Sequence, residues 1–123
     1  MDVSEDETRV LIVDDSEDAV EALAAILELD GYTVRTALNG LAALEAVKSF
    51  EPLCVLMDIQ MPGLGGHELC SRLREAYGDS VVLIAVTGEG GRDDGIAEAF
   101  SQFDHYLRKP VDPDDLRRIL PPF

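Results

Sequence analysis

Unbroken apolar runs alternate along this chain with stretches in which apolar residues recur every three or four positions. Arg9-Val10-Leu11-Ile12-Val13 is a β-branched run that stops at Asp14-Asp15. Leu53-Cys54-Val55-Leu56-Met57 follows Pro52 and stops at Asp58, after which Met61-Pro62-Gly63 forbids further regular structure. Ser80 to Thr87 is a third such run and again ends on a polar residue. Runs of this kind, bounded by turn residues, predict strands buried on both faces. Tyr32 to Ala37 alternates more and predicts an edge strand. His105 to Arg108 predicts the last strand, closed by Lys109-Pro110.

Helical spacing fills the gaps. Val20, Leu23, Ala24 and Leu27 mark a first helix, with Ser16 as cap, Glu17 and Asp18 in the first turn, and Asp30-Gly31 as terminator. Asn39 caps a second, with Ala42, Ala43, Leu44 and Val47 as its inner face. A third follows Gly65-Gly66 through Glu68, Leu69, Leu73 and Tyr77. A fourth, roughly Arg92 to Phe100, contains Gly95 and is weak by propensity. Asp112-Pro113 opens a short fifth that ends at Pro121-Pro122. Strand and helix alternate about five times, which means a parallel sheet covered by helices on both faces. Right-handed crossovers then place every strand's carboxyl end on one rim.

At 123 residues the chain is read as one domain. MDVSEDET, residues 1–8, is read as a disordered acidic tail, lacking the basic start and apolar middle of a signal peptide. A net charge of −15 argues against nucleic acid and against anionic lipid, so no direct membrane contact is expected. Cys54 lies in an apolar block and Cys70 in a predicted helix, so neither suggests a disulfide, and a reducing, cytoplasmic setting is the default.

The predicted rim gathers polar residues from separate strands: Asp14 and Asp15, Asp58, Thr87 and Lys109. A single strand-end carboxylate is commonly a cap or turn residue. Three of them together repel unless a cation intervenes. Hard oxygen donors suit Mg²⁺. A cation beside a carboxylate, a hydroxyl and an ammonium can hold a phosphoryl group, with Asp58 as candidate nucleophile.

Asp14-Asp15, Asp58 followed by Met61-Pro62, Thr87, and Lys109-Pro110 together resemble the receiver domain of bacterial two-component response regulators. The likeness covers about Arg9 to Leu120, so residues 9–123 are read as the receiver domain. It implies a doubly wound (βα)5 flavodoxin-like α/β sandwich with sheet order 2-1-3-4-5. It implies that Asp58 accepts a phosphoryl group, that Asp15, Asp58 and the Gln60 carbonyl bind Mg²⁺ directly, and that Asp14 acts through water. Thr87 corresponds to the switch hydroxyl, Lys109 to the lysine that pairs with the acceptor and then the phosphate, and Tyr106 to the aromatic that rotates inward. Taken alone, Tyr106 is also what an amphipathic edge strand carries. A cis Lys109-Pro110 bond is expected.

The family's partners are a sensor histidine kinase or histidine phosphotransfer protein, expected here beside the first helix around Ser16 to Val20, and a downstream protein target. His67 and His105 are read as surface residues. Gln102 stands where many relatives have glycine, which predicts a mobile fourth helix and preceding loop. Gln60 and Glu89 flank the approach to the acceptor; Glu89 either repels anionic donors or positions water. No output domain follows, so the chain is read as a stand-alone receiver or one from a larger protein, with FDHYLRKPVDPDDL resembling receivers of hybrid sensor kinases. The chain is thus expected to be a signalling switch that changes the face made by its fourth helix, fifth strand and fifth helix, not an enzyme in its own right. The alternative is a degenerate receiver acting as a constitutive interaction module. An aspartyl phosphatase typically needs an acid where Gln60 stands, and Asp-Asp-Ser-Glu-Asp would repel a flavin phosphate.

Overall fold

The computed structural model describes residues 9–61, 63–87 and 103–120, without the side chains of residues 66 and 67. The expected tail, the glycine-rich loop with Glu89, the helix over 92–100, Gln102, the side chain of His67 and Pro121-Pro122 lie outside the described residues. The elements are β1 (Arg9–Val13), α1 (Glu17–Leu29), β2 (Thr33–Ala37), α2 (Gly40–Phe50), β3 (Cys54–Asp58), α3 (Gly66–Tyr77), a 3-10 turn (Gly78–Ser80), β4 (Val82–Thr87), β5 (His105–Arg108) and a last helix (Pro113–Ile119).

All pairings are parallel, and the sheet order is β2-β1-β3-β4-β5, the doubly wound order expected. The solid apolar runs resolve into two faces by the period-two alternation of strands. Leu11, Val13, Val55, Met57, Leu83 and Ala85 pack against Ala43 and Val47 of α2 and Leu69, Cys70 and Leu73 of α3. Val10, Ile12, Cys54, Leu56, Ile84 and Val86 pack against Val20 and Leu27 of α1 and Leu116 and Leu120 beyond them. Each fully buried Leu or Ile contributes roughly 1.5–3 kcal/mol. Both cysteines are free and buried, and burial pushes the Cys70 thiol up to about 11.

The helix ends follow the residues expected to make them. The Ser16 and Asn39 side chains accept from the N–H groups of Ala19 and Ala42, and Asp112 accepts from that of Asp114. Gly31, with φ of 101°, turns the chain after α1. Three details differ from expectation. Ala42 is exposed, because helical spacing puts Gly40, Ala43, Val47 and Phe50 inward. Ser80 belongs to the 3-10 turn, its hydroxyl donating to the Tyr77 carbonyl at 2.7 Å, so β4 starts later. Tyr32 precedes β2 and is buried, its N–H donating to the Leu27 carbonyl.

Candidate functional site

Among the described residues the buried polar or charged side chains are Asp14, Asp58 and Thr87. All three lie at the carboxyl ends of the central strands, on the rim where open α/β sheets bind ligands. Even-numbered residues of β1 and β3 face α1, so Asp14 and Asp58 extend the stripes Val10-Ile12 and Cys54-Leu56. Thr87 follows Leu83 and Ala85 onto the opposite face.

Lys109, just past β5, places its ammonium between the two buried carboxylates, 3.2 Å from Asp14 Oδ2 and 3.3 Å from Asp58 Oδ2. The other oxygen of each is held by the main chain. The Ser16 N–H donates to Asp14 Oδ1 at 2.9 Å, and the Gln60 N–H donates to Asp58 Oδ1 at 3.0 Å. The Lys109 N–H donates to the Thr87 carbonyl at 2.7 Å, locking the base of the lysine to β4. The Lys109-Pro110 bond is cis, as expected.

Burial raises the pKa of Asp58; the Gln60 N–H opposes this, Asp14 adds to it, and Lys109 lowers it. For Lys109 burial is the largest single influence and disfavours the charge, yet Asp58 and Asp14 together outweigh it and the pKa is raised. Asp15 is exposed beside them, and the oxygens of Asp14, Asp15 and Asp58 lie within 4.8 Å of one another. Three carboxylates against one ammonium leave two formal negative charges. A divalent cation balances that charge, and an all-oxygen donor set suits a hard one.

The Thr87 hydroxyl donates to the Leu107 carbonyl at 3.5 Å, a contact long enough to be given up easily. Tyr106 pairs with Ala85 in the sheet, so it shares a face with Thr87, and it is 65% exposed. His105 is exposed, as expected. The structure therefore brings together Asp14, Asp15, Asp58, Gln60 and Lys109, sets Thr87 beside them on the rim, and turns Tyr106 outward. Two features were not apparent from sequence. One is the Ser16 N–H, hidden because Ser16 reads as a helix cap alone. The other is a groove of about 640 Å³ that opens at Asp58 and Lys109 and runs under α1 between Ala19, Leu23, Ile26, Val86 and Val111.

The model of the response regulator receiver domain matches residues 10–121. The response regulator MprA of Mycobacterium ulcerans is 35% identical over 108 residues, 88% of this chain and 46% of that protein. The chain thus spans about half the length of that relative. The response regulator TrrA of Thermotoga maritima, solved in complex with Mg(2+)-BeF, superposes with a TM-score of 0.80 at 32% identity, covering 90% of this chain and 94% of that one. The receiver domain of Ssk1 from Saccharomyces cerevisiae, solved with the histidine phosphotransfer protein Ypd1, gives 0.81 at 25% identity over 93% and 86%. With the fold, the sheet order and the family match in agreement, the chain belongs to the response regulator receiver domain family.

Proposed function

We propose that this domain is a phospho-accepting switch in which Asp58 takes a phosphoryl group from a phosphohistidine of a sensor kinase or phosphotransfer protein, with Mg²⁺ held by Asp15, Asp58 and the Gln60 carbonyl and steadied by Asp14. The observation that carries it is the Lys109 ammonium shared between Asp14 and Asp58. An oxygen of Asp58 forms the new O–P bond while the P–N bond to the imidazole breaks, and the donor ring keeps the electron pair and takes up a proton. The cation supplies charge neutralisation for the phosphoryl oxygens.

The chain's own groups do the rest. Lys109 is already within reach of the acceptor and turns from Asp14 and Asp58 toward the incoming phosphoryl oxygens. The Gln60 N–H holds the acceptor carboxylate in one orientation, which serves in-line attack. Thr87 gives up its long bond to Leu107 and donates to the new phosphate, and Tyr106 moves into the space this leaves. The groove beside α1 adjoins the acceptor, which suits a partner docking along α1 near Ser16 to Val20.

An NMR titration with Mg²⁺ and then beryllofluoride, a phosphoryl mimic, tests the reading, with Asp58→Asn as control. Saturable shifts at Asp58, Thr87, Tyr106 and Lys109 that the variant lacks are expected. No response from the folded wild type would overturn it and leave the constitutive interaction module.

A further inference from the structure

We propose that Gly40, at the start of α2 and outside the acceptor site, is a positioning residue for the metal-binding turn after β3. The inference rests on the phospho-switch reading above. That turn is fixed at its near end by the Gln60 N–H on Asp58 Oδ1. Beyond it Met61 enters the core, and Gly65 begins α3 in an extended conformation. Between these points Leu64 is half-buried and packs against the apolar cluster of α2 and α3.

Leu64 reaches that position only because residue 40 has no side chain. A Cβ on Gly40 would lie 2.6 Å from the Leu64 carbonyl oxygen and 2.8 Å from both its Cβ and Cδ2. Two of those three atoms cannot swing away, since they belong to the backbone or are bonded directly to it. Any side chain at position 40 therefore forces the turn and the start of α2 apart. Gly40 has an ordinary helical backbone, so helix propensity alone would favour alanine by up to ~1 kcal/mol. The contact decides the other way. What the shift disturbs is the carbonyl of Gln60, four residues before Leu64, which the proposed mechanism gives to the cation. Asp14 and Lys109 stand on other elements and keep their places.

The test is Mg²⁺ affinity in three variants beside the wild type, each with a melting curve and the Gln60 amide resonance of the metal-free protein. Gly40→Ala is expected to weaken Mg²⁺ binding by about tenfold, in the range seen when groups that orient metal ligands are removed. Leu64→Ala loosens the same anchor without a clash and is expected to act in the same direction, deciding the matter if Gly40→Ala fails to fold. Gly78→Ala is the stability control. Its φ of 60° strains any L-residue, its added Cβ meets nothing, and it precedes the amino-terminal end of β4, the end away from the acceptor. It should melt lower while binding Mg²⁺ as the wild type does and leaving the Gln60 resonance in place. If the two site-side variants melt lower but bind Mg²⁺ with unchanged affinity, Gly40 is merely structural and the proposal fails. If the wild type itself binds no Mg²⁺, the phospho-switch reading fails instead.

Discussion

At Asp58 burial and the adjacent Asp14 carboxylate disfavour the charge, while the Gln60 N–H and the Lys109 ammonium favour it, and burial prevails. A carboxylate whose pKa is raised on folding costs stability wherever it is ionised. That cost is absent below the unfolded value near pH 4 and complete once pH exceeds the folded value. Asp58→Asn is therefore expected to stabilise the metal-free domain at pH 7 by about 1 kcal/mol, roughly 4 °C in Tm. The gain should shrink as pH falls toward 4, where the wild-type acid is itself neutral. Melts in the presence of EDTA across this range check it, and a gain independent of pH would contradict it.

Lys109 is the opposite case. Its removal leaves two buried carboxylates facing each other, and because the ammonium is partly exposed the cost is discounted to about 1–2 kcal/mol. Lys109→Ala should therefore melt lower without metal. It should also gain more Tm from saturating Mg²⁺ than the wild type does, since the cation no longer competes with an ammonium for Asp58. An equal Mg²⁺ gain in both proteins would show that lysine and cation do not share the acceptor.

Between elements, one polar knot stands at the amino-terminal edge of the sheet, away from the acceptor. Asp104 Oδ2 accepts from the Leu83 N–H at 2.9 Å and from Arg74 Nη2 at 2.7 Å, while Arg74 Nη1 donates to the carbonyls of Gly78 and Val81. The knot joins the end of α3 to the starts of β4 and β5. Burial of Asp104 raises its pKa, but the Leu83 N–H and the Arg74 guanidinium more than offset this, so it is lowered. A depressed carboxylate stabilises above its unfolded pKa, and the stabilisation is lost as pH falls through the folded one. Because the Asp104 side chain is 43% exposed, solvent screening discounts the pair, and melting curves of Asp104→Asn are expected to show a cost of about 0.5–1 kcal/mol at pH 7 and progressively less below about pH 4, with Mg²⁺ affinity unchanged.

Nothing in the sequence separates Asp104 from the many other acids of the chain. The same holds for Glu51, which ends α2 at a φ of 54°, where glycine is the usual residue. Strands and caps were legible because each announces itself locally: an apolar run breaks on a carboxylate, or Ser16, Asn39 and Asp112 precede a periodic stretch. The candidate site was legible because four strand ends, carrying Asp14, Asp15, Asp58, Thr87 and Lys109, share one rim. The knot, the groove and the Gly40–Leu64 contact depend on how distant segments meet, and no local pattern encodes that.

Across the whole molecule 25 acids face 10 Lys and Arg residues. Several of those bases are already engaged: Arg72 with Glu68, Arg74 with Asp104, Arg117 with Asp30 and Asp114, and Arg118 with Asp115. The outer face of α1 keeps Glu17, Asp18, Glu21 and Glu28 exposed, and α1 begins beside the acceptor. The surplus thus acts twice. It repels itself within the folded chain, and it draws cations toward the rim. Raising NaCl from about 0.01 M to about 0.1 M shortens the screening length from about 30 Å to about 10 Å. The two effects should then separate in opposite directions. The metal-free domain should melt higher as self-repulsion fades, while Mg²⁺ affinity falls as the long-range attraction is screened. Melting curves with EDTA and Mg²⁺ titrations at both salt concentrations measure each arm. A rise in Tm with unchanged affinity would mean that Asp14, Asp15 and Asp58 alone set the attraction for the cation, and that the rest of the acidic surface serves solubility.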